Sequence, residues 1–390
     1  MFSPTIIEKR ITMRLLSGII LLVLLPTYLL ANDLNKSVDK LFSAIDEKKA
    51  PGCNIGVIQN GEFVYKAGHG LANMELGVSL DGNNVHRIAS VSKQFTAMSV
   101  LLLAEEDKIN LKDDIRKYLP ELKNYGSKIT INSMLGHTSG MADYDYISSY
   151  TANEVKDGIN LRNSMGNPFR LGNEDYLSIN NFYDVVKKIS LRNEPNKKWQ
   201  YSNLAYFLLS MLVEEVSGES LRDYANKRIF QPLEMNDTFY SDDPTEIVKN
   251  RASGYKQNNE GGYQTDMTNL FWVGDGGLHT NLNDLLKWDQ HFYNPSLGKN
   301  PNKLIELFNK PNSDFSAFGG FFGGLYANGQ VVTKIDGHDA YMHGGEWLGV
   351  QTFYTRVPKK NLSTIVLCND ANQDAYSYAK DITALYLANK

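Results

Sequence analysis

Segments with strand character lie at the two ends of this chain, and segments with helix character lie between them. Near the start, residues 53–58 and 63–65 read as strands joined through Asn60-Gly61. That dipeptide is a strong hairpin signal, because both central residues of a tight two-residue turn need positive φ. In the last hundred residues, the Gly-rich stretch 318–326 and residues 331–335, 347–357 and 362–368 alternate with turns such as Pro358-Lys-Lys-Asn361. The order predicts one sheet assembled from both ends of the chain, with a helical insertion between. Residues 32–390 are expected to form one folded unit. An α/β lobe would come from about 32–104 and 290–390, and a mostly helical lobe from about 105–289.

The helical readings rest on spacing. Leu34, Val38, Leu41, Phe42 and Ile45 recur at helical intervals before the breaker pair Pro51-Gly52. Residues 90–106 are helical and largely apolar, with Phe95, Met98, Leu101 and Leu102 inside. Residues 205–216 form an apolar helix closed by Gly218, and 375–387 form the last one. Residues 142–182 differ: they are rich in Tyr, Asn, Asp and Ser and carry little periodicity. Two readings stand side by side: a pocket wall built from Tyr144, Tyr146, Tyr150, Phe169 and Tyr176, or a surface insertion.

At 390 residues and 42% hydrophobic, the chain has enough apolar material for a sizeable core. Its net charge of −4, with both signs interspersed, offers no basic face for nucleic acid. The partner expected is a small molecule or short peptide. Lys9, Arg10 and Arg14 precede an uncharged stretch that is apolar from Ile19 to Leu25, broken by Pro26 and ended by the small residue Ala31. This pattern predicts a signal peptide over 1–31 and an exported, periplasmic or secreted protein, with a membrane anchor only if the segment stays uncleaved. Two cysteines, Cys53 and Cys368, sit in strand-like, apolar surroundings and read first as core residues.

Three short patterns carry chemistry. Ser90-Val-Ser-Lys93 opens the buried helix, and residues three apart share one helix face. A serine is a poor nucleophile until a neighbour takes its proton, and a desolvated lysine can do so. The same spacing recurs at Ser37, Ser253, Ser296 and Ser377, so Ser90 is also open to a plain capping role. Tyr201-Ser-Asn203 places a phenol, whose proton a nearby lysine would make easier to lose, beside an amide able to hold a lysine and a substrate carbonyl. The alternative for Tyr201 is an aromatic capping the next helix. His343-Gly344-Gly345 enters a strand, and its glycines allow a backbone to approach a substrate closely. A metal site built on His338 and His343 with Asp336 or Asp339 lacks any zinc spacing and is not favoured.

In this order the patterns resemble those of the serine β-lactamase and penicillin-binding protein superfamily, in its class C β-lactamase-like branch of peptidases and esterases. The resemblance runs from Leu34 to Leu387 and includes Leu135-Gly-His-Thr-Ser-Gly140, Gln231-Pro-Leu-Glu-Met235 and Gly276-Gly-Leu-His-Thr280. It implies a five-stranded antiparallel sheet flanked by terminal helices, with a helical lobe, and no cofactor. It also implies that Ser90 is acylated, that Lys93 and Tyr201 share the acid and base work, and that Asn203 orients substrate. The strand of His343, Gly344 and Gly345 would flank the substrate, and the backbone N–H groups of Ser90 and Glu346 would form the oxyanion hole. His137 matches a structural position, holding the Thr138–Gly140 turn. The resemblance further implies that Cys53 and Cys368 are neighbours across antiparallel strands. Secretion would permit a bridge there, while the close spacing of such pairs argues against one.

His343 departs from the family pattern, in which a lysine followed by Thr or Ser is usual. Histidine is mostly neutral at pH 7.5, and Gly344 carries no hydroxyl, so a substrate carboxylate finds little here. The leading expectation is a hydrolase of small esters or amides, including D-amino-acid peptides. The alternatives are a β-lactamase or D-Ala-D-Ala carboxypeptidase and, from another class, a penicillin-binding sensor that acylates without turnover.

Overall fold

The two ends of the chain meet in one antiparallel sheet. The computed structural model describes residues 33–147, 177–268, 273–320 and 323–388. The expected signal segment, 1–31, lies outside the described residues, as do Tyr150, Phe169 and Tyr176. Among the described residues the sheet has seven strands: β1 (Cys53–Gln59), β2 (Glu62–His69), β3 (Leu325–Ala327), β4 (Gln330–Ile335), β5 (His338–Trp347), β6 (Val350–Val357) and β7 (Leu362–Cys368). Their spatial order is β3-β4-β5-β6-β7-β1-β2, so the N-terminal hairpin joins the C-terminal strands through the β1–β7 pair.

Four helices matter for the architecture: α1 (residues 33–41), α2 (Lys93–Glu105), α3 (Asn203–Ser217) and α4 (Ala375–Ala388). Alternation along the strands gives the sheet two apolar faces. One face, with Ile55, Val57, Phe353 and Val366, packs on Val38 and Phe42 of the N-terminal segment and on Ala379 and Ile382 of α4. The other, with Tyr354, Ile365 and Leu367, packs on the helical part through Phe95, Leu101, Leu208 and Trp288. Helices α2 and α3 are buried on most sides, and truncating a large side chain in such a core costs about 2–5 kcal/mol. Gly218 closes α3 in the left-handed conformation, with φ 73°.

The sheet corrects the five-stranded expectation. The two extra strands come from the β3–β4 hairpin, which turns through Asn328-Gly329, both with positive φ, and extends the sheet beyond β5. The expected strand over 347–357 is the end of one strand and the whole of the next. Gly349, with φ 63°, turns the chain between Trp347 and Val350. The adjacent glycines 344 and 345 weaken strand character in sequence and conceal the length of β5. The Gly-rich stretch near 318 is a tight turn over Ala317–Gly320, and only its end enters β3.

Cys53 and Cys368 are joined by a disulfide, with their Cα atoms 3.9 Å apart. The N–H of Asn369 donates to the carbonyl of Gly52, so the next pair is of the close, non-hydrogen-bonded kind. The bridge is thus present at a pair of the close kind that the spacing argument held against it. The bond closes a loop spanning 315 residues, which by chain entropy stabilises the fold by about 6 kcal/mol.

Candidate active site

Ser90 sits in a tight 3-10 turn, Ala89–Ser92, and Lys93 is the first residue of α2. In such a turn residues three apart eclipse each other. Lys93 Nζ accordingly lies 3.0 Å from Ser90 Oγ. The Ser90 hydroxyl caps neither the turn nor the helix, so the plain capping reading fails. Ala89 has φ 44°, a conformation that costs a residue with a Cβ about 1–3 kcal/mol and is typical of functional sites. The turn is held from both sides: Ile88 N–H donates to Leu278 O, and Thr352 Oγ1 donates to Ile88 O at 2.9 Å.

Tyr201 and Asn203 flank the cap of α3. Ser202 accepts the N–H of Ala205 and donates to Ala142 O, which fixes the chain as it enters the helix. Asn203 Oδ1 accepts from Lys93 Nζ at 2.7 Å, and the carbonyl of Asp275 does so at 2.6 Å. Lys93 is fully buried and has these two partners plus Ser90. An amide oxygen and a backbone carbonyl can only accept. When Lys93 is neutral its two protons satisfy them, and its lone pair is left facing the one partner that can donate, Ser90 Oγ–H. Burial lowers the lysine to about 8, with Asp275 and Asp143 partly opposing the shift.

Tyr201 does not follow its expectation of an easily lost proton. Its pKa is pushed well above the ordinary phenol value, chiefly by burial and further by Asp143, against a hydrogen bond with Ser90 that lowers it. The ammonium lies 4.9 Å from the ring centre, and the phenol stays protonated. His137 supports this ring. It is buried, its Nδ1 accepts the N–H of Ser202 at 3.2 Å, and its ring centre lies 4.3 Å from that of Tyr201. It thus holds the Tyr201–Ser202 backbone as well as its own turn, where Gln200 N–H donates to His137 O.

The opposite wall is the free edge of β5. β4 pairs with β5 only as far as Met342, so from His343 to Trp347 that edge faces the cleft. Trp347 and Val350 flank a two-residue turn and exchange both backbone hydrogen bonds. Alternation then aims the N–H groups of Glu346 and Gly344 away from β6, toward the open edge. Gly345 is required at its position: a Cβ there would lie 2.3 Å from Ile88 O and 3.1 Å from Ser90 N. These contacts bring the backbone of Ser90 and the edge of β5 together.

His343 is buried and turned inward. Its Nε2 meets the Tyr326 hydroxyl at 2.8 Å and its Nδ1 the Gly344 carbonyl at 2.5 Å. A carbonyl only accepts, so Nδ1 carries the proton and Nε2 accepts from Tyr326. Burial, aided by the Lys93 charge, lowers this histidine to about 3. Both nitrogens are occupied by the protein, and the ring is neutral throughout the physiological range. The side chain therefore braces the strand and offers no charge to a substrate. His338, five residues away, lies on the other face of β5.

The cleft encloses about 660 Å³ and is walled by Ser90, Tyr144, Tyr201, Phe318, Trp347 and Tyr376 among others. Of the aromatics expected to shape it, Tyr144 lines it, whereas Tyr146 lies under the Arg192 guanidinium, 5.1 Å from ring centre. Sequence reasoning missed Asp143, Asp275 and Arg87. The Tyr144 hydroxyl donates to Asp275 Oδ2, and Arg87 and Asp275 act on each other electrostatically. Asp275 directly precedes the Gly276-Gly277 pair and was open to notice there. Asp143, one acid in a polar stretch, carries no signal.

The family model described as Beta-lactamase matches residues 38–388. Protein flp of Staphylococcus aureus strain N315 is 33% identical over 117 residues, covering 29% of this chain and 24% of that protein. The match thus spans about a quarter of the curated relative's length. The octameric penicillin-binding protein homologue from Pyrococcus abyssi has 26% identity and a TM-score of 0.74, over 92% of this chain and 77% of that one. EstCE1, a hydrolase with promiscuous acyltransferase activity, shares the fold at 20% identity and a TM-score of 0.73, over 92% and 98%. The chain belongs to the beta-lactamase family, with the serine-hydrolase fold that this family shares with penicillin-binding proteins.

Proposed function

We propose that this protein hydrolyses small esters or amides that present no carboxylate to the β5 edge, carboxyl-blocked D-amino-acid peptides included, through an acyl-Ser90 intermediate. The observation that carries the reading is the environment of Lys93: two obligate acceptors take two of its protons, and Ser90 Oγ–H alone can meet its lone pair. In the first step the Ser90 proton passes to Lys93 as Oγ bonds to the substrate carbonyl carbon. The carbonyl oxygen becomes an oxyanion, held by the N–H groups of Ser90 and Glu346. As the tetrahedral intermediate collapses, the bond to the leaving group breaks, and that group takes a proton from Lys93 by way of the Tyr201 hydroxyl. Water then repeats the sequence on the acyl-enzyme and frees Ser90. With Lys93 near 8, roughly a quarter is already neutral at pH 7.5, so kcat/KM should rise with pH up to about 8.

The inward-turned His343 and the bare Gly344 favour esters and neutral amides over β-lactams and D-Ala-D-Ala peptides, whose carboxylate needs a cation. The disulfide supports an exported location, since such bonds persist in oxidising compartments. Steady-state assays with a chromogenic ester and a chromogenic cephalosporin test the proposal. Sustained ester turnover with little cephalosporin hydrolysis is expected. Efficient cephalosporin hydrolysis would make the protein a β-lactamase, and one acylation without turnover would make it a penicillin-binding sensor.

A further inference from the structure

Asp143 does not line the cleft, yet its carboxylate determines what Lys93 meets. Its Oδ1 accepts the backbone N–H groups of Tyr144 at 2.8 Å and Asn203 at 3.1 Å. Its Oδ2 accepts Asn203 Nδ2–H at 3.4 Å. A carboxylate only accepts, so the Asn203 amide must turn its nitrogen to Asp143 and its oxygen to Lys93. Were the amide reversed, its N–H would face Lys93. It would then oppose the ammonium, or capture the neutral amine's lone pair and take it from Ser90.

We propose that Asp143 is a positioning residue for acyl transfer, acting through the Asn203 amide to keep the Lys93 lone pair directed at Ser90. This rests on the reading of Lys93 as the base. The groups around Lys93 are the carboxylates of Asp143 and Asp275, the rings of Tyr201 and Tyr206, and the neutral His137 and His343, with Arg87 behind Asp275. The two carboxylates favour the ammonium. Removing the charge at 143 therefore lowers the lysine further and moves the acid limb of kcat/KM to lower pH.

The test is a bond reversal. In Asp143→Asn the new amide keeps its oxygen on the two backbone N–H groups and turns its nitrogen toward Asn203, donor against donor. The Asn203 amide then flips. Expected is a fall in kcat of about 10²-fold with little change in KM, and an acid limb at lower pH. Adding Asn203→Asp restores complementarity: the new carboxylate at 203 accepts from the amide at 143 and returns an oxygen to Lys93. The double variant should recover to within about tenfold of wild type, with its acid limb moved back up. Equal impairment of single and double variants with an unmoved acid limb, or wild-type rates in the single variant, would overturn the proposal. Labelling with a fluorophosphonate separates the two layers. Wild type labelled on Ser90, with the variants failing these expectations, removes the role of Asp143 alone. Wild type unlabelled on Ser90 removes the acyl-serine reading and this proposal with it.

Discussion

The two walls of the cleft are built on opposite principles. On the helical side, Lys93, Asn203, Tyr201, Asp143 and Asp275 form a continuous polar network whose hydrogen bonds end at Ser90. On the sheet side, His343 spends both nitrogens on its own protein, Gly344 and Gly345 have no side chains, and the strand offers backbone N–H groups. Under the proposed function, the first wall would direct protons and the second would recognise a carbonyl and little else. The polar groups around Lys93 are thus fixed by named contacts, while in the proposed reaction selectivity for the rest of the substrate would fall to the aromatic walls Tyr144, Phe318, Trp347 and Tyr376.

The first way to break this contrast is to cut the helical wall. Lys93→Ala and Tyr201→Phe should each reduce kcat by about 10²–10⁴-fold, and the double variant should be hardly worse than the weaker single. Fully additive losses would mean that the two groups work independently and that the network is not one unit. A smaller effect is expected on the sheet wall. His343→Ala removes one of the two side-chain partners of the Tyr326 hydroxyl, the other being Tyr206, and should lower stability by about 1 kcal/mol. It should reduce kcat/KM by less than about tenfold and leave the pH profile between 5.5 and 9 unchanged, because the histidine is already neutral there. A wild-type acid limb near pH 6 to 7 that vanishes in this variant would show that His343 titrates in function and would erase the contrast.

The same contrast explains what could be read from the sequence. Ser90, Lys93, Tyr201 and Asn203 were legible because each belongs to a short pattern and the patterns occur in order, and the structure brings them together. The pairing of the terminal strands was legible from alternation and turn residues. Asp143 and Asp275 were not, because each acts through a contact far away in sequence that no local pattern encodes: Asp143 with Asn203, and Asp275 with Lys93 and Tyr144. The neutrality of His343 was legible in direction, but its extent was not. It depends on burial and on the nearby Lys93 charge, which no local pattern around His343 encodes. The phenol of Tyr201 was misread because a neighbouring lysine is visible in sequence and the cost of burial is not.

The central claim is that Ser90 is the acylated residue. Intact-mass analysis after exposure to a fluorophosphonate, run on wild type and on Ser90→Ala with equal folded fractions, tests it most directly. The account predicts one covalent adduct per wild-type chain, mapped to the peptide containing Ser90, and none on the variant. An adduct of equal yield on Ser90→Ala, or a wild-type adduct mapped to another residue, would contradict it.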